Sequence, residues 1–69
     1  MSEKMKFFIY LLEHYAQAHN TSADTVLQKW DALGISDLIY EMYDLYHTES
    51  LDNAYEDIDR MIQEKSSQP

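Results

Sequence analysis

The chain has 69 residues, no cysteine, one glycine and one proline, with 45% hydrophobic residues and a formal charge of -8 from 13 acids against 5 Lys plus Arg. That length allows one small core, the missing cysteines exclude a disulfide framework or a thiolate zinc site, and so little glycine and proline disfavours turn-rich β architecture. The negative charge repels phosphate backbones and anionic lipid, which argues against direct nucleic-acid or membrane-surface binding.

The first predicted helix covers 3-18, with Ser2 as N-cap and Glu3 at the positive end of the dipole. Phe7 to Leu12 superficially resembles a leader, but the apolar run is six residues long with no small-residue cleavage site after it, so it reads as helix. Met5, Phe8, Ile9, Leu12, Tyr15 and Ala16 share one face, which suffices for an ordinary surface helix. Phe7, Leu11, His14 and Ala18 form a second apolar face. Either the C-terminal helix folds back over that face, or it is the seam of a homodimer.

His19 to Asp24 breaks the periodicity, and Thr21 or Ser22 caps a second helix over 22-33. Its inner arc holds Ala23, Val26, Leu27, Trp30 and Leu33, with Trp30 read as a core anchor whose N–H bonds locally or at the rim. Gly34 sits where a left-handed C′ residue belongs, and Ser36 is the expected cap of the third helix, 36-47.

That third helix carries three stripes. Leu38, Ile39, Met42, Leu45 and Tyr46 are expected to face the core, Asp37, Glu41, Asp44 and Thr48 water, and Tyr40, Tyr43 and His47 form an aromatic, polar-tipped third face. The tight turn suggests a helix-turn-helix, but a recognition helix bearing Asp37, Glu41 and Asp44 offers no cation to phosphate or guanine. The fourth helix, 51-64, is capped by Thr48 or Ser50 and buries Leu51, Ala54, Tyr55, Ile58, Met61 and Ile62, with Asp52, Asn53, Glu56, Asp57, Asp59 and Arg60 opposite. The predicted architecture is therefore all-α, a small bundle of four short helices. It forms a single domain over 1-65, followed by a disordered tail at 66-69.

Little of this points to chemistry. His14 and His19, five residues apart, lie too far around the helix to chelate one ion. Asp52, Glu56 and Asp59 share a face that reads as a solvated stripe, since no glycine-turned loop accompanies it. No catalytic residue, cofactor or metal site is predicted. A protein of this kind, with no stretch near the roughly 20 apolar residues that span a bilayer, is expected in the cytoplasm.

The segments Glu13-His14-Tyr15-Ala16, Gly34-Ile35-Ser36-Asp37, Ile39 to Thr48 and Tyr55-Glu56-Asp57-Ile58-Asp59 resemble, in that order and over nearly the full length, a family of short bacterial proteins known as a domain of unknown function. Its pattern is an aromatic helix closing on His-Thr followed by an acidic Asp-Ile-Asp helix. Glu49-Ser50 stands where that pattern has a glycine after His-Thr. The resemblance implies no activity. It implies a genetic context, beside ADP-ribosyltransferase-like proteins, that suits a toxin and its neutraliser.

The function expected from these residues is a non-enzymatic protein-interaction module, antitoxin-like in the context just described. Its partner, expected to be basic, would rest on Tyr40, Tyr43 and His47 beside Glu41 and Asp44. The alternatives are a homodimeric helical protein joined through Phe7, Leu11, His14 and Ala18, and an acidic mimic of nucleic acid.

Overall fold

The computed structural model describes residues 1–67. Its elements are α1 (Glu3–Ala18), α2 (Ala23–Leu33), α3 (Ser36–Glu41), α4 (Tyr43–Tyr46) and α5 (Leu51–Ser66), with no strand among the described residues. A radius of gyration of 11.5 Å is near the roughly 11 Å expected of a folded chain of this length, so the helices form one packed body.

Local chemistry places the starts of α1, α2 and α5. Ser2 accepts the Met5 N–H at 3.1 Å, Ser22 that of Thr25 at 3.2 Å and Ser50 that of Asn53 at 3.4 Å, each satisfying an amide the helix cannot. Thr21 and Thr48 do not cap. Thr48 instead turns its hydroxyl back onto the Leu45 carbonyl at 2.8 Å and closes α4. Helices α1 and α2 end in the same way. Asn20 (φ 56) and Gly34 (φ 72) adopt the left-handed conformation, and the following amides, Thr21 and Ile35, reach back to the carbonyls of Ala16 at 2.9 Å and Trp30 at 3.0 Å. These are Schellman stops. A Cβ built on Gly34 meets nothing within 4 Å, so Gly34→Ala carries backbone strain alone. Chemical denaturation is expected to show a loss of about 1 kcal/mol.

Two predictions about the third helix are corrected. Ser36 is its first residue and not its cap; its hydroxyl donates to Asp31 at 2.5 Å, while Ile35 occupies the cap position with no side-chain bond. The helix is also two helices, because the chain leaves the α conformation at Met42 (φ -80, ψ 11). The bend has a packing cause: α3 lies on α1 and α2, whereas α4 lies on α1 and α5. A straight helix could not serve both. At the other end α5 runs two residues beyond the predicted 64, and the Ser67 hydroxyl donates to the Gln63 carbonyl. Of the expected tail, residues 68 and 69 lie outside the described residues.

The core is centred on Trp30, fully buried and edge-on to Phe8 and Tyr15 at 6.0 and 5.5 Å. Ile35, Ile39, Tyr46, Ala54 and Ile58 complete it with Leu11, Leu12, Tyr15, Ala16 and Val26. The inner face of α5 follows the predicted period. The indole N–H, expected to be bonded, has no hydrogen-bond partner in the structure.

Candidate functional site

The predicted core face of α3 and α4 is only half inside. Ile39 and Tyr46 are buried, but Leu38 and Leu45 are each 48% exposed, against expectation. Aromatic packing explains the roll. Phe8 takes the Tyr40 ring at 5.9 Å and Phe7 takes the Tyr43 ring at 5.6 Å, both edge-on. Because aromatic rings bury more area than leucines and gain from edge-to-face contact, the helices turn their tyrosine side toward α1. Leu38 and Leu45 are left outward.

Tyr40 and Tyr43 thus lie half-buried against the first helix, neither core nor free surface. Lys4 places its ammonium 4.8 Å from the Tyr40 ring centre and 2.9 Å from the Glu41 carboxylate. The hydrogen bond to Glu41 holds the Lys4 ammonium above its ordinary value. Asp44 is exposed, and His47 lies flat on Tyr43 at 4.3 Å with its Nδ1–H donating to the Tyr43 carbonyl. The outer face therefore reads Asp37, Leu38, Glu41, Asp44, Leu45: two apolar side chains set in a field of carboxylates. Periodicity assigned the leucines to the core. The signal that could have found them is the Asp-Leu pair that recurs seven residues on, at 37–38 and 44–45, which puts both leucines beside the acidic stripe.

The second face of α1 does not form one open stripe. Leu11 is 1% exposed and belongs to this chain's own core, Phe7 lies under Tyr43 and His47, and Ala18 is exposed. The His14 ring lies against that of Tyr10 at 4.0 Å, tilted by 34°. What closes over Phe7 is α4, where the C-terminal helix was the expected cover.

All three histidines make one local arrangement. His14, His19 and His47 each lie against the tyrosine four residues earlier and donate Nδ1–H to its carbonyl. His19 also brings Nε2 within 3.5 Å of Asp59, which accepts the Tyr15 hydroxyl at 2.5 Å. Two residues earlier Asp57 accepts the Tyr46 hydroxyl at 2.6 Å. The Asp-Ile-Asp segment thus inserts Ile58 into the core and fastens a buried tyrosine on either side. Burial first, and the hydrogen bond to the carboxylate second, push both phenols above their ordinary value. Between α1, α2 and α5 a crevice of about 190 Å³ is lined by Tyr15, His19, Lys29, Trp30 and Ile62, smaller than the roughly 300 Å³ at which ligand pockets begin. Among the described residues no three His, Asp or Glu side chains are grouped to hold a metal, and no helix is long and apolar enough to cross a membrane.

The chain belongs to the family described as "Protein of unknown function (DUF3791)", which it matches over residues 6–65. No curated protein and no solved structure matches it.

Proposed function

We propose that this family member is a non-enzymatic interaction module that holds a basic partner protein against the outer face of α3 and α4. The observation that carries the reading is the pair Leu38 and Leu45, half-exposed among Asp37, Glu41 and Asp44. Apolar anchors ringed by charge combine contact area with steering, and a net charge of -8 favours a cationic partner. Tyr40, Tyr43 and His47 form the shoulder of that surface. An antitoxin-like role, neutralising a partner encoded alongside, is the form of this function that the family resemblance suggests. The homodimer seam is the weaker alternative, since Leu11 is spent on the core and would not be available to a second copy. Mimicry of nucleic acid would need no leucines.

The tyrosines are poor sites for a test, because truncating them also removes their packing on Phe7 and Phe8. Leu38→Ser with Leu45→Ser is cleaner, since half-exposed side chains cost little to shorten. The double variant is expected to keep its helical circular dichroism and to lose no more than about 2 kcal/mol of stability. Partner affinity is expected to fall at least roughly thirtyfold, as for the loss of two interface anchors. Unchanged affinity would remove this face from the function.

A further inference from the structure

Beside Tyr40 the surface opens into a groove between α1, α2 and α3. Its volume is about 370 Å³, and it is lined by Met5, Phe8, Leu27 and Tyr40 together with Ser36, Asp31 and Asp37; Phe8, Leu27 and Tyr40 are half-buried, Met5 and both aspartates exposed. Neither carboxylate has an ion-pair partner among the described residues. The Ser36 hydroxyl occupies Oδ1 of Asp31 and leaves Oδ2 open, while Asp37 makes no side-chain hydrogen bond among the described residues. The groove therefore joins an apolar lining to two exposed carboxylates.

We infer that this groove receives an arginine side chain of the partner protein. The inference rests on the proposed interaction function and names the chemistry of its deepest contact. The apolar lining accepts the aliphatic stem, and the half-buried Tyr40 ring accepts the weakly hydrated guanidinium plane. The Asp37 carboxylate and the open Oδ2 of Asp31 can accept from its planar fork of donors, which lysine lacks. Tyr40 already draws a cation in this structure, the ammonium of Lys4. Charge complementarity selects the occupant: a purely apolar side chain would leave Asp31 and Asp37 facing it uncompensated, and an acidic one would be repelled. Because Tyr40 lines the groove and also flanks Glu41 on α3, an arginine seated here extends the Leu38 and Leu45 surface.

The test uses the full chain, isotopically labelled, titrated by NMR with N-acetyl-arginine methylamide and with its uncharged citrulline counterpart. Saturable shifts are expected at the amides of Asp31, Ser36, Asp37 and Tyr40 for the arginine probe. The citrulline probe, or the Asp31→Asn/Asp37→Asn variant, is expected to bind at least about tenfold more weakly, as when charge-assisted hydrogen bonds are lost. Asparagine can still accept the Ser36 hydroxyl, so the variant keeps the turn. Equal binding of the two probes, shifts centred on the α5 acids Asp52 and Glu56, or no saturable shift overturns the arginine site. If the Asp31→Asn/Asp37→Asn variant holds the partner as tightly as wild type while Leu38→Ser/Leu45→Ser does not, the arginine site falls and the interaction function stands.

Discussion

Trp30→Ala is expected to abolish cooperative folding. The indole is fully buried at the centre of the helices, against Phe8 and Tyr15, and truncating a buried tryptophan costs about 3–5 kcal/mol. Below about 70–80 residues a single hydrophobic core rarely supplies more than about 3–5 kcal/mol. With no disulfide or metal to reinforce it, the chain would be left at or below the edge of folding. Thermal unfolding followed at 222 nm, the ordinary far-ultraviolet helix band, checks this: the variant should show a broad, non-cooperative loss of signal or none. Trp30→Phe separates packing from polarity. It keeps an aromatic ring in the site and removes an N–H with no partner in the structure. Relief of an unmet hydrogen bond, about 1–3 kcal/mol, offsets part of the lost area. The phenylalanine variant is therefore expected to fold cooperatively.

The second large effect concerns the two tyrosine–aspartate clasps. Tyr15→Phe with Tyr46→Phe removes both hydroxyls that α1 and α4 donate to Asp59 and Asp57. Hydrogen bonds to charged acceptors contribute about 1.5–3 kcal/mol each, and the aspartates remain partly solvated, so a combined loss of about 2–4 kcal/mol is expected from urea denaturation. The same contacts predict a pH response. Both phenols are raised in the folded state from the ordinary 10.0. The folded chain therefore retains protons that the unfolded chain releases, and stability falls with rising pH. The contribution is complete below pH 10, where the unfolded phenols are protonated, and is lost progressively above it. The double phenylalanine variant should lose stability less steeply over that range than wild type. Identical alkaline profiles for the two proteins would remove the clasps from the account.

The helical class, the Ser2 cap and the Gly34 stop were legible in the sequence because each is a local signal read from one to four neighbouring residues; the Ser22 and Ser50 caps were legible only as one of two candidates each, beside Thr21 and Thr48. So was the inner face of α5, whose apolar period is unambiguous. What was not legible is tertiary. Nothing between Tyr40 and Leu45 breaks a helix by propensity; Met42 bends only because α3 and α4 pack on different neighbours. The outward turn of Leu38 and Leu45 depends on Phe7 and Phe8, more than 30 residues away in the chain, capturing Tyr43 and Tyr40. Hydropathy alone ranks leucine above tyrosine for burial, and here the larger aromatic contact prevails. Asp57 and Asp59, on either side of the inward Ile58, read as the solvated side of a helix. Their role as a double clasp required knowing that Tyr15 and Tyr46 flank Ile58.

For function, the consequence is a shift in emphasis along the same helix pair. Tyr40, Tyr43 and His47 are partly occupied by packing and stacking, and Glu41 by Lys4. The unclaimed apolar contacts are Leu38 and Leu45, with the groove beside Tyr40 as the adjoining recess. The most direct measurement is recovery of a binding partner from native cell extract by immobilised wild type and by the Leu38→Ser/Leu45→Ser variant, its fold first checked by circular dichroism. The expected result is a stoichiometric basic protein retained by wild type and absent from the variant. The same protein retained equally by both, or none retained by wild type, would contradict the assignment of this face as the functional surface.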